Sequence, residues 1–445
     1  MGPSSMCLLF SAPVLFHPGT IIPAGIYRPD PNLAYLTGVS QPDCAALLEV
    51  LADGEVHYTL LTPPEDAWNE TWNGPRLRSN EAMSFFGADA TAPTSMLGAV
   101  LERALRTARA GVLWDGPTPG VQLSHVAERA LDAARIGRGP SFRVGPGLAA
   151  ALGEMRWLKS PAEVRLMRAS ARASAEGILA AAASVRAGAL ETAAAAAHEF
   201  VTRRAGAQRL AYPSVAAAGP SACVIHYSRS DRVVREGDAF LLDAGCELQG
   251  YCSDVTRTWP VSGEFSSPQA AVYDAVAQAH AACIQATVEG ATLQDVHALS
   301  VTSLAASISR LGLAPGLSAT AVARGPYRAL YPHSVGHWLG LDTHDTPTVP
   351  HSRPLRQGVV LTIEPGLYIP LDSDAPPEFR GIGVRIEDDI LIGSDGRPEV
   401  LSAPLPSDLE GAQRLPLLGS QRFGELATVA RSSCFFGRPL VRAAW

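Results

Sequence analysis

The chain has 445 residues, 47% of them hydrophobic and 18% charged, enough for two or three domains and a large apolar core. Its 36 basic and 43 acidic residues give a net charge of −7, which argues against a general nucleic-acid or anionic-membrane binder. No apolar run reaches the roughly 18 residues that span a bilayer. The 7 cysteines are dispersed and include no CxxC pair, so they read as reduced thiols of an intracellular protein. The opening MGPSSMCLLF has an apolar patch but no basic n-region, and it lacks the Arg-rich character of a transit peptide; no targeting signal is expected.

From Cys7 to about Gly153 strand-like and helix-like pieces alternate, the pattern of an α/β domain. CLLFSAP, ALLEVLA and EVHYTLLT are β-type runs, and Asp53-Gly54 marks a hairpin between the last two. Apolar spacing predicts a helix over 94–110, GVLWDG a buried strand, and 121–135 another helix. Trp72-Asn73-Gly74-Pro75-Arg76 reads as an aromatic turn whose plain role is corner packing. A boundary falls near 155–159, where Ser160-Pro161-Ala162-Glu163 supplies an N-cap, a proline at the first helical position and a capping-box glutamate. Helices are expected to about 185, over 190–204, 268–288 and 293–311, with β-type runs before and after the last pair. The domains are then 1–154 and 155–415, with 416–445 a loop-like tail expected to be poorly ordered.

The chemistry concentrates in four stretches. In LLDAGCELQGYCSDVTRTWP, two short strands turning at Gly250 would bring Asp243 close to Asp254. Such a pair either decorates a surface hairpin or needs a cation between its carboxylates. YPHSVGHWLGLDTHD holds His333, His337 and His344, with Gly336 and Gly340 breaking any helix and Ser334 excluding a zinc-protease HExxH. Glu364 ends the apolar run VVLTIE, where an unpaired carboxylate is costly to bury. In GVRIEDDILI, strand alternation places Arg385 and Glu387 on one face. Asp243, Asp254, His337, Glu364 and Glu387 form an inventory that fits a site for two hard divalent ions, which can activate a water and polarise a carbonyl.

The order DAGC…SDVTRTWP, HSVGHWLGLDTHD, TIEPGLYI and GVRIEDD resembles the dinuclear "pita-bread" metallopeptidases, and within them the Xaa-Pro aminopeptidases (aminopeptidase P). VGHWLGLDTHDTP and DAPPEFRGIGVRIEDD resemble the mitochondrial Xaa-Pro aminopeptidase 3 type and its intermediate-cleaving relatives. The likeness runs from about residue 7 to 410; the tail has no counterpart. It implies a creatinase-like N-terminal α/β domain and a pita-bread catalytic domain.

Position by position, the resemblance implies that Asp243 chelates one metal, Glu364 and His337 the other, and that Asp254 and Glu387 bridge both. Mn²⁺ is the expected metal. Glu364 also serves as general base, and His226 and His344 contact substrate and stabilise the tetrahedral intermediate and leaving amine. His333 lines the proline pocket with Tyr368, and Arg385 orders Glu387. Trp72 matches a family position that reaches a neighbouring subunit's active site, so a homodimer is implied. Substrates are peptide or protein N-termini, and the compartment is mitochondrial by resemblance or cytoplasmic. Competing readings are an intermediate-cleaving exopeptidase without a strict need for proline, a prolidase, and a non-catalytic binding scaffold. The complete ligand set disfavours the scaffold and metal-free creatinase.

Overall fold

A computed structural model describes residues 5–107, 111–113, 147–403 and 405–432. The chain divides into two compact units, Met1–Arg156 and Trp157–Trp445. In the first, successive side chains of a strand point to opposite faces, and both faces of Ser5–Phe10 (β1) are apolar. Met6 and Leu8 pack with Leu97, Leu101 and Ala104 on one side. Cys7 and Leu9 pack with Leu33, Ala82, Leu148 and Leu152 on the other. The sheet is therefore covered on both faces by helices, among them Pro31–Thr37, Ser79–Phe86, Leu97–Thr107 and Gly147–Trp157.

Its strand order is β4-β3-β2-β1-β5, with Ala45–Val50 (β2), Val56–Thr62 (β3), Ala90–Pro93 (β4) and Gly111–Leu113 (β5). β1, β2 and β3 run antiparallel, while β4 and β5 join in parallel. The Asp53-Gly54 turn forms as expected, closed by the Leu51 amide on the Glu55 carbonyl at 2.8 Å. The helix expected over 121–135, and GVLWDG beyond Leu113, lie outside the described residues.

The second unit begins with the capping box: the Ser160 hydroxyl accepts from the Glu163 amide, and the Glu163 carboxylate accepts from the Ser160 amide at 2.7 Å. The helix Pro161–Ser184 follows, its Ala, Ser and Gly face buried, and then Thr192–Arg204. Next come Arg209–Leu210 (β6), Val215–Ala218 (β7), Ala239–Ala244 (β8), Cys246–Leu248 (β9), Tyr251–Cys252 (β10) and Val255–Pro260 (β11). The helices Ser267–Ala286 and Leu293–Arg310 lead to Val360–Ile363 (β12), Gly366–Ile369 (β13), Ile382–Arg385 (β14), Asp388–Ile392 (β15) and Pro398–Val400 (β16). Small sheets form in the orders β11-β8-β7, β10-β9-β6, β12-β15-β16 and β13-β14. A bridge between Thr256 and Glu387 joins the first to the strands after residue 360.

Three expectations change. Gly250 does not turn between the strands that carry the two aspartates: β8 and β11 pair directly, Asp243 opposite Thr256, and Gly250 turns the inserted β9–β10 hairpin. GVRIEDDILI is not one strand, because β14 ends at Arg385 and the Glu387 amide turns to the Thr256 carbonyl at 3.1 Å. The stretch from Pro416, read as a loop-like tail, belongs to Ser432 to the helix Leu409–Ser432, kinked at Phe423. Tertiary packing carries that helix past its proline: Ala412 and Leu415 are buried. A side chain at Gly419 would strike the Leu179 carbonyl, so glycine lets it press against Pro161–Ser184. Among the described residues no helix is long and apolar enough to cross a membrane.

Candidate metal centre

Strands of three small sheets position the four candidate carboxylates. Asp243 lies near the end of β8, Asp254 just before β11, Glu364 after β12, and Glu387 between β14 and β15. His337 comes from the loop before β12, where the Thr362 hydroxyl accepts its backbone amide at 3.1 Å. A side chain at Gly336 would overlap the Thr362 carbonyl, so that approach demands glycine.

Asp254, His337 and Glu387 each place a ligand atom within 4.8 Å of the others. His337 Nδ1 is 3.1 Å from the Trp338 carbonyl, a pure acceptor, so this nitrogen carries the proton. Its Nε2 faces Asp254 Oδ2 at 3.4 Å and Glu364 Oε1 at 3.6 Å. Asp243 joins through Tyr212, whose hydroxyl lies 2.5 Å from Asp243 Oδ1 and 2.5 Å from Asp254 Oδ1. The structure thus brings all five candidate ligands together.

Burial first, then Asp243, holds Asp254 well above the carboxylate range. Glu387 is raised by burial and then by Asp254. Glu364 is pushed up to about 8 by burial and then by Glu387. Arg385, itself buried, donates to Asp243 Oδ2 at 2.6 Å, to the Thr256 hydroxyl at 3.2 Å and to the Tyr368 hydroxyl at 2.9 Å. One guanidinium cannot neutralise four carboxylates, and one phenol proton cannot serve two aspartates. A set of oxygen donors with one imidazole nitrogen, short of positive charge, fits hard divalent cations.

The surrounding candidates sort by place. His333 Nδ1 is 3.6 Å from Glu364 Oε2, and its Nε2 is 2.8 Å from the Tyr368 hydroxyl. Burial, then Arg385, lowers its pKa to about 4, so the ring is neutral near pH 7. His344 is exposed, its ring centroid 4.2 Å from that of His337. Desolvation, then His337 and His226, lowers its pKa, which places the exposed His226 within electrostatic reach. Trp72 is not among these residues. It lies on the helix Ala67–Asn73 of the first unit, 68% exposed, beside Trp68.

A model of metallopeptidase family M24 matches residues 165–394, and one of the aminopeptidase P N-terminal domain matches residues 1–114. The chain belongs to the M24 metallopeptidases. This metallopeptidase is 34% identical over 394 residues to Xaa-Pro aminopeptidase 3 of Mus musculus, covering 87% of this chain and 76% of that one. It is 35% identical to the mitochondrial intermediate cleaving peptidase 55 of Arabidopsis thaliana, covering 93% and 79%. Aminopeptidase P from E. coli with the inhibitor Pro-Leu superposes with a TM-score of 0.86 at 29% identity, covering 95% and 96%. The fold is that of aminopeptidase P, an N-terminal α/β domain and a pita-bread domain, and the enzyme is a metallo-aminopeptidase of the Xaa-Pro type.

Three neighbours of the M24 cluster escaped the sequence reading. Tyr212 spans the two aspartates, Thr256 donates to Glu387 Oε2 at 2.7 Å, and Asp389 accepts the Asp254 amide at 3.1 Å. Thr256 carried a signal, since Asp254, Thr256 and Thr258 alternate onto one side of the chain. Tyr212 carried none. Arg385 was expected to order Glu387; its direct carboxylate partner is Asp243, and Glu387 is reached through the Thr256 hydroxyl.

Proposed function

We propose that the enzyme removes the N-terminal residue of peptides with proline second, using two divalent ions, Mn²⁺ the best match to hard oxygen donors. The Asp254–His337–Glu387 cluster, with both carboxylates buried and the imidazole half-buried, extended by Asp243 and Glu364, carries this reading. Asp243 would hold one ion and His337 and Glu364 the other, with Asp254 and Glu387 shared between them. The ions would supply an activated water and a polarised scissile carbonyl. Glu364 would serve as the base that accepts the water's proton. His226 and His344 donate from their rings to the tetrahedral oxygen and the leaving nitrogen. His333, edge-on to Tyr331 at 5.0 Å and hydrogen-bonded to Tyr368, forms a wall of rings. Such a wall suits a pyrrolidine ring, which brings no N–H to satisfy.

On this reading 1–154 and 155–415 are the two functional domains. The enzyme is a homodimer in which Trp72 faces the second copy's active site, and it has no nucleic-acid or membrane partner. Likeness to a mitochondrial peptidase supports a mitochondrial site of action, with the cytoplasm the alternative. The same likeness favours a second reading, a trimming exopeptidase that does not need proline.

The test is hydrolysis of Arg-Pro-Pro against Arg-Ala-Ala, metal-stripped and then with Mn²⁺ restored. Cleavage of the proline peptide alone, dependent on Mn²⁺, is expected. Metal-dependent cleavage of both peptides would favour the trimming enzyme, and cleavage of neither would remove the peptidase reading.

A further inference from the structure

Glu191 is fully buried at the start of the helix Thr192–Arg204, and among the described residues its carboxylate meets neutral donors. Its Oε1 accepts from the Ala218 amide at 2.8 Å, and its Oε2 accepts from the Tyr227 hydroxyl at 2.8 Å and the Arg232 amide at 3.0 Å. Ala218 ends β7 and Arg232 closes the following loop, so one carboxylate holds both ends of residues 219–231. Tyr227 fastens the middle.

Backbone pairing supports the same junction. The Glu191 amide donates to the Arg232 carbonyl at 3.0 Å and the Thr192 amide to the Ser230 carbonyl at 3.1 Å. Beside the inward Tyr227 stands His226, exposed and close enough to His344 to perturb it. The buried carboxylate thus anchors the loop that carries His226. Burying a carboxylate is costly unless it is hydrogen-bonded. Three donors meet this one.

We infer that Glu191 is a positioning residue for His226: its carboxylate fixes the loop 219–231 so that the imidazole meets the substrate at the scissile bond. The inference rests on the reading of His226 as a substrate contact. Glutamine at this position presents an NH2 group to at least one existing donor, so the loop must shift, and misplacement by about 1 Å can cost on the order of 100-fold in rate.

The experiment is a cycle of E191Q, H226A and E191Q/H226A on Arg-Pro-Pro with Mn²⁺, alongside Y227F, which removes one donor and leaves the carboxylate. E191Q is expected to lower kcat by about tenfold or more with KM nearly unchanged. Y227F should lose less, and E191Q/H226A should be no slower than H226A. A double variant slower by the product of the single losses overturns the inference.

Limited trypsin digestion gives a readout that needs no activity. Cleavage after the exposed Arg229 should accelerate in E191Q while cuts elsewhere keep their wild-type rates. Unchanged cleavage at Arg229, or uniform acceleration everywhere, overturns it as well. An H226A enzyme with full activity would instead sink the reading of His226, with the trypsin result then deciding whether Glu191 holds the loop.

Discussion

Replacing Lys159 by Met should destabilise the catalytic unit far more than its place at a helix entrance suggests. The Lys159 and Asp345 side chains are each 1% exposed and stand 3.1 Å apart, Nζ to Oδ2. Nζ also reaches the Trp157 carbonyl at 3.4 Å. Asp345 directly follows His344, and its amide donates to the Trp338 carbonyl at 2.9 Å, so the pair ties the histidine loop to the start of Pro161–Ser184. Methionine keeps most of the lysine's volume but leaves the Asp345 carboxylate buried without its ammonium, a loss of about 3–5 kcal/mol. For a unit of this size that lowers Tm by roughly 10 °C. The double variant Lys159→Met with Asp345→Leu removes the buried carboxylate as well and should regain most of the loss. Thermal unfolding followed by circular dichroism, on metal-free and metal-loaded protein, measures both. A single variant within about 1 kcal/mol of wild type, or a double variant less stable than the single, would refute the reasoning.

Tyr212→Phe removes the hydroxyl shared by Asp243 and Asp254 and should weaken metal binding by about tenfold or more; competition against a chelator measures it, and unchanged affinity contradicts the proposed placement of the aspartates. His198 is fully buried, and desolvation lowers its pKa to about 4. Below the unfolded value of 6.5 the unfolded chain binds the proton and the folded one does not, so stability falls from pH 6.5 down to about 4 and then levels. The drop is at most about 3 kcal/mol for this group. Urea midpoints of metal-free protein at pH 7 and 4.5 should show a smaller fall in His198→Leu; an equal fall would show that His198 does not titrate as argued.

The parts of this molecule that were legible in its sequence are those written locally. The Ser160-Pro161-Ala162-Glu163 capping box and the two-faced apolar strands of the first unit follow from neighbours a few residues apart. The candidate ligands stood out because aspartate, glutamate and histidine at the ends of apolar runs are expensive there. Contacts set by register between distant strands were not legible. Whether Arg385 meets Asp243 or Glu387 depends on the break between β14 and β15 and on the Thr256–Glu387 bridge, 131 positions apart in the chain. Tyr212 reads as any core tyrosine until β8 and the start of β11 converge on its hydroxyl. The C-terminal helix was hidden by Pro416, since the packing of Gly419 against Leu179 is invisible from sequence.

The central claim is that one set of buried and half-buried carboxylates with an imidazole holds two catalytic ions. The direct measurement is the number of Mn²⁺ ions retained per chain after gel filtration, in wild type and in Glu387→Ala, with Arg-Pro-Pro hydrolysis measured on the same samples. Two ions and activity in wild type, at most one ion and no activity in the variant, is the predicted result. Wild-type hydrolysis without bound metal, or both ions retained by Glu387→Ala, would contradict it.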